Sequence, residues 1–297
     1  MKILITGASG LIGKALQNSF AEKGHDLLLA GRSEPRAANQ IQWTIESGFA
    51  DPRRLEGIDA FIHLAGENIS ALRWTDEKKR AIRDSRVLGT RSVVDAIGKL
   101  KQKPKVFIAG SATGYYGDRG DEVMTENDGP GDTFLSEVCK AWEAESRRAE
   151  YLGIRSVLLR TGIVLSKDGG ALAEMLTPFK LGVGGVVGSG RQWMSWISLE
   201  DVVGAINFAL ENDELSGPIN IVAPNPVTNK EFTRTLGEVI HRPTILPLPQ
   251  FAVKLAFGEM GDALLLDSTR VIPERLANAG YKFKFENLKL AVQNALK

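Results

Sequence analysis

Apolar and polar positions follow a regular rhythm over the first 160 residues. Short apolar runs free of turn residues stand at 1–5 (Met1-Lys2-Ile3-Leu4-Ile5), 26–30, 59–64, 105–109 and 155–160, with a weaker one at 41–43. Each has the length of a buried strand, and most end in glycine or small residues. Between them, apolar residues recur at three- and four-residue spacing and predict helices over 11–23, 75–100 and 133–152. Thr75 before Asp76-Glu77 reads as the cap of the second helix. Strands that alternate with helices imply a parallel sheet covered on both faces. Right-handed crossovers make it a doubly wound α/β fold, with ligands at the carboxyl ends of the strands.

After Thr161 the rhythm is lost. Residues 182–190 form a glycine-rich loop, 218–226 hold a short strand between turns, and Pro243, Pro247 and Pro249 break the chain. The pattern predicts a dinucleotide-binding domain over 1–164 and a smaller mixed α/β substrate domain over 165–297. The segment 197–212, helical in pattern, returns to the first domain.

Composition narrows the class. The formal net charge is +1 with no basic block, which points away from nucleic acid and from an acidic membrane surface. The single cysteine, Cys139, excludes an internal disulfide and fits a reducing cytosol. No apolar run reaches membrane length and no signal-like segment opens the chain, so a cytoplasmic protein is expected, with a homodimer left open. His25, His63 and His241 have no nearby partners in metal-ligand spacing, so no metal site is expected. Cys139 reads as a buried thiol.

The chemistry begins at the first strand. Thr6-Gly7-Ala8-Ser9-Gly10-Leu11-Ile12-Gly13 follows it and opens the first helix. Gly7 allows the tight turn, Gly10 lets a pyrophosphate approach the backbone, and Gly13 lets the helix pack on the strand. Ser9, Leu11 and Ile12 complete the phosphate loop, and Leu64-Ala65-Gly66 the second wall. At the end of the second strand a carboxylate would bind a ribose 2′-hydroxyl. Arg32 stands there instead, followed by Ser33, and a guanidinium matches a 2′-phosphate. NADP is therefore the expected cofactor.

These segments, with Gly110-Ser111-Ala112-Thr113, Leu159-Arg160-Thr161-Gly162, Trp196-Ile197-Ser198-Leu199-Glu200-Asp201-Val202 and Ile219-Asn220-Ile221, resemble the extended short-chain dehydrogenases/reductases, the NAD-dependent epimerase/dehydratase family. Gly114-Tyr115-Tyr116-Gly117-Asp118, Cys139 followed by Trp142-Glu143, and the proline-broken C-terminal segment look most like its YfcH-like members. The resemblance implies a serine that orients the substrate oxygen, a tyrosine acid/base about 25 residues later, and a lysine four residues beyond it on the nicotinamide ribose. Ser111 fits the first role. Counting onward places Ser136 where the tyrosine belongs and Lys140 in the lysine position. A serine hydroxyl is too weak an acid to replace a phenol. Tyr115 or Tyr116 swinging in from the preceding loop, or a water held by Ser111 and Ser136, would supply the proton.

On the substrate side the resemblance implies an asparagine and an arginine that grip a nucleotide diphosphate. Ile163 and Met194 occupy those positions, and Arg191 is out of register. Trp193, Met194 and Trp196 are expected to line an aromatic pocket with Ile163 and Arg191 at its edge. The sequence thus predicts an NADP-dependent oxidoreductase acting on a small, partly apolar carbonyl or alcohol. A non-catalytic NADP(H)-binding sensor is the alternative, and a sugar epimerase the third reading.

Overall fold

In the computed structural model, which describes residues 1–70 and 73–297, eight strands form one sheet. They are β1 (Lys2–Thr6), β2 (Asp26–Gly31), β3 (Gln40–Thr44), β4 (Gly48–Phe49), β5 (Ala60–His63), β6 (Val106–Ala112), β7 (Arg155–Thr161) and β8 (Gly217–Ile221). The spatial order is β8-β7-β6-β5-β1-β2-β3-β4, and every pair is parallel except β3–β4. The order runs outward from β1 in both directions, the doubly wound arrangement the rhythm predicts.

Alternation along the strands fills both faces. Ile3, Ile5, Ile62, Ile108 and Leu159 point to one side, where α1 (Leu11–Glu22) contributes Leu16 and Phe20. Leu4, Phe61, Phe107 and Leu158 point to the other, where α2 (Asp76–Gly98) contributes Val93, Val94 and Ile97. Thr75 caps α2 by accepting from the Lys78 amide at 3.1 Å. Thr133 caps α3 (Phe134–Arg147) in the same way through Ser136.

The second half returns to this sheet more fully than its sequence suggests. After α4 (Gly170–Lys180), α5 (Leu199–Glu211) lays Val202, Ala205 and Ile206 beside α1 on the first face. The short strand expected inside the smaller domain is β8, and it pairs with β7 at the sheet edge. Its Ile219 and Ile221 share one face and join the first core. The smaller lobe has its own core, built from α4, α6 (Asn229–Ile240) and the last helix, Leu288–Ala295.

That third core corrects the aromatic pocket. Trp196 is fully buried and donates from Nε1 to the Asn225 carbonyl at 2.9 Å, and Met194 is buried among the same cluster. Both pack under the loop instead of lining a cavity. Trp193 is spoken for at the surface: its Nε1 donates to Asp121 at 2.8 Å and its ring faces the Arg270 guanidinium at 4.1 Å. Arg191 is exposed. Ile163 sits in a short parallel pairing with Trp196.

Candidate dinucleotide and substrate site

The carboxyl ends of β1, β5, β6 and β7 meet at one edge of the sheet, and the phosphate loop begins there. Gly7 takes a φ of +71°, and a side chain on it would collide with the Leu64 backbone at 2.7 Å. A Cβ on Gly13 would lie 2.3 Å from the Gly7 carbonyl. Both glycines are demanded by close backbone packing. Gly10 precedes α1 with no side chain capping it, and Ser9 and Gly10 are exposed. The first amides of α1 therefore face outward at the positive end of the helix, a seat for a phosphate.

The second wall is fixed by a buried polar chain. Thr6 Oγ1 lies 2.7 Å from His63 Nδ1, and His63 Nε2 lies 3.1 Å from Thr90 Oγ1. Thr6 Oγ1 also accepts from the Ala65 amide, so this chain aims the Leu64-Ala65-Gly66 turn. Burial pushes the His63 imidazole down to about 4, so it is neutral at neutral pH. Arg86 lies against Gly66 and donates to the Glu67 carbonyl at 3.0 Å. Arg32 and Ser33 follow β2 directly and are exposed. The charge of Arg32 reaches Glu67, whose carboxyl is held below its usual range by Lys78 first and by Arg32 and Arg86 further off.

Ser111, near the end of β6, sits at the head of a buried network. Its hydroxyl donates to Glu143 Oε1 at 2.8 Å. Arg160 grips the same carboxylate with two bonds, Nε at 2.8 Å and Nη2 at 3.0 Å. Arg160 Nη1 donates to Tyr116 Oη at 3.0 Å, and Tyr116 donates to Asn220 Oδ1 at 2.7 Å. Burial works against the Arg160 charge, but the hydrogen bonds and charge of Glu143 outweigh it and hold the guanidinium protonated. Tyr115 stacks its ring on the same guanidinium at 3.5 Å. Sequence reading missed Glu143, Arg160 and Asn220. The signal was present, since an arginine inside the apolar strand Ser156-Val157-Leu158-Leu159-Arg160 demands a buried partner.

The acid/base positions differ from the expectation. Lys140 projects into solvent, its side chain 58% exposed, and pairs loosely with Glu137 at 3.6 Å. Ser136 is buried and donates to the Gly114 carbonyl at 3.0 Å, so its hydroxyl is spent on the loop. Tyr116 is fully buried, and desolvation raises its phenol to about 12. The helix presents the neighbouring register to Ser111. Cys139 lies beside the Ser111 hydroxyl and Ala112, and Leu135, four residues earlier, packs over Gly114. Burial, with the Glu143 charge, pushes the Cys139 thiol up to about 11. Toward the segment from Ser111 to Gly114 the helix therefore turns Cys139 and Leu135, where Lys140 and Ser136 were expected.

The segment before the last helices spans the same edge. Arg73 donates to the Leu255 and Ala256 carbonyls, and Lys79 holds Glu259 at 2.8 Å. On the other side, the Gln192 amide donates to Leu265 and Val187. No group of three or more metal-ligating side chains is present among the described residues, nor is any helix long and apolar enough to cross a membrane.

Comparison with known proteins places this geometry. Residues 3–222 match the NAD dependent epimerase/dehydratase family, and residues 248–295 match a domain of unknown function, DUF1731. Epimerase family protein Mb2239 of Mycobacterium bovis is 44% identical over 95% of this chain and 93% of its own length. YfhF of Bacillus subtilis is 38% identical over 100% of this chain and 98% of its own. The crystal structure of human epimerase family protein SDR39U1 with NADPH superposes with a TM-score of 0.90 at 34% identity, covering both chains fully. A phosphate loop on β1, a sheet wound outward from it and a DUF1731 segment across its edge make this chain a member of the NAD-dependent epimerase/dehydratase family, in the epimerase-family branch that carries DUF1731.

Proposed function

We propose that the chain is an NADPH-dependent oxidoreductase of the extended short-chain type, acting on a small, partly apolar carbonyl or alcohol. The observation that carries the cofactor half is the uncapped amino terminus of α1 behind Gly7, with Arg32 at the end of β2. The residues fit the group. Gly7, Gly10 and Gly13 leave room for a pyrophosphate, Leu64-Ala65-Gly66 forms the opposite wall, and Arg32 with Ser33 meets a 2′-phosphate. The NADPH in the human relative's structure supports this choice. When bound, the cofactor supplies or accepts hydride, and the protein's task is to hold the substrate oxygen beside it.

Ser111 performs that task in this reading. Its proton is directed inward to Glu143, which leaves a lone pair for the hydroxyl of an alcohol; to hold a carbonyl oxygen the Ser111 hydroxyl must turn from Glu143 and donate. Ile163 and Met194 give a nucleotide diphosphate no polar contact, so sugar nucleotides are poor substrates. The test is a titration with NADPH, followed by NADPH-oxidation assays with small aldehydes and ketones beside UDP- and dTDP-sugars. Binding of NADPH with turnover of a small carbonyl is expected. Turnover of a nucleotide sugar would refute the substrate half.

A second reading is an NADP(H)-binding sensor without turnover. It is favoured by one observation: Ser136, Lys140 and Tyr116 are all committed elsewhere, which leaves no strong acid beside Ser111. NADPH binding without turnover of any carbonyl would select it.

A further inference from the structure

The fold gathers exposed apolar residues on one face that the averaged composition conceals. Among the described residues, eight large hydrophobic side chains are more than half exposed, and six lie in two segments: Leu181 and Val183 after α4, and Ile245, Leu246, Phe251 and Leu255 beyond α6. The segments are neighbours. Gly185 bridges to Ile245 and Val187 to Leu248, and the Leu248 amide donates to Val186 at 2.8 Å. Phe251 and Leu255 stand one turn apart on the helix Gln250–Phe257, so they share a side. Single exposed hydrophobics are ordinary, but six gathered in two neighbouring segments mark an interaction surface.

Within the two segments the charge is one-sided. The chain carries 36 acidic residues, yet none falls in 175–199 or in 239–258. Those stretches contribute Lys180, Arg191, Arg242 and Lys254. Lys180 and Arg242 are exposed beside Leu181, and Arg242 Nε donates to the Lys180 carbonyl at 3.0 Å. Lys254 has Asp262 behind it at 3.5 Å. Protruding Leu, Ile and Phe in a basic rim are the makings of an interfacial membrane contact. A second copy of the same face would set positive rim against positive rim. A protein partner would find aliphatic side chains standing proud, where strong protein contacts favour Trp, Tyr and Arg seated in pockets.

We propose that this face, formed by the loop after α4 and the segment 241–255, docks on the surface of an anionic lipid membrane. The face belongs to the segment that Arg73 and Lys79 fasten across the candidate site, so docking would bring that site to the lipid surface. The proposal does not depend on the reaction catalysed.

The test floats the full chain with extruded vesicles of phosphatidylcholine alone, or with about 30% phosphatidylglycerol, at about 0.05 M and about 0.5 M salt. Flotation with the anionic vesicles at low salt is expected, with at least about a tenfold loss on neutral vesicles or at high salt. Phe251→Asp with Leu255→Asp should abolish flotation. Lys180→Glu with Arg242→Glu should weaken it at least about tenfold, since each basic group near such a surface is worth about fivefold. All variants should keep the wild-type circular dichroism and melting. If the aspartate pair unfolds the protein, the Lys180/Arg242 pair, fully at the surface, decides alone. Absence of flotation with anionic vesicles overturns the proposal, as does unchanged flotation of the folded variants. A dimer that the same variants dissociate, without flotation of the wild type, would assign the face to self-association instead.

Discussion

Ser111 and Arg160 share one oxygen: Glu143 Oε1 accepts from the Ser111 hydroxyl and from Arg160 Nε, both at 2.8 Å. The serine at the carboxyl end of β6 is thus locked to an ion pair in the protein interior, with both charged partners almost wholly buried. Its rotamer is fixed before any substrate arrives, which is how a binding group is made rigid.

Removing one member of this pair should be costly. Glu143→Ala leaves the Arg160 charge buried without a counter-charge, and a loss of about 3–5 kcal/mol of unfolding free energy is expected. Urea denaturation measures it. A loss below about 1 kcal/mol would mean that the pair is not formed in solution.

Arg32 should set cofactor choice. NADPH is expected to bind more tightly than NADH, and Arg32→Ala should erase most of that difference by removing a charge-assisted bond worth about 1.5–3 kcal/mol. Fluorescence titration with both cofactors is the measurement. Equal affinities in the unmutated protein would refute the role of the guanidinium.

Lys140 should be dispensable. Exposed, and paired only at 3.6 Å, it contributes little to the fold. Lys140→Ala should shift stability by no more than about 0.5 kcal/mol and leave NADPH affinity unchanged. A marked loss of NADPH affinity would return the lysine to the ribose and restore the register expected from spacing.

The fully buried His63 makes stability depend on pH. Its folded value, about 4, lies below the 6.5 of the free side chain. The unfolded chain therefore takes up a proton first as the pH falls. The contribution is fully present above about 6.5, and it is lost as the pH drops toward 4. Between pH 7.5 and 4.5 the loss from this group should be about 2–3 kcal/mol. His63→Gln should flatten the profile in that window, as read by denaturant midpoints. An unchanged slope would assign the acid sensitivity to other groups.

Most of the doubly wound sheet was legible, because its strands are buried on both faces and leave long apolar runs. The phosphate loop was legible because only glycine satisfies the packing at Gly7 and Gly13. The acid/base register was not. Ser136 and Lys140 are four apart, but so are Leu135 and Cys139, and spacing alone cannot say which pair a helix turns inward. Burial decides it: a lysine is costly against Ser111 and Trp142, whereas a thiol is not. Trp193, Met194 and Trp196 misled for a related reason, since an aromatic cluster reads alike whether it lines a cavity or fills the core of a second lobe. The strand at 217–221 carried no mark of its partner, because pairing with β7 is a long-range event that local pattern does not record.

That late edge strand has a consequence for how the chain is made. Gly217 pairs with Val157, and α5 covers the same side of the sheet, so β7 leaves the ribosome well before its neighbour and its roof. At roughly 5–20 residues per second of synthesis, the nascent chain spends several seconds with β7 as an open, apolar border. A fragment ending near residue 164 would keep that border permanently, and it should associate or precipitate instead of persisting as a free-standing nucleotide-binding module.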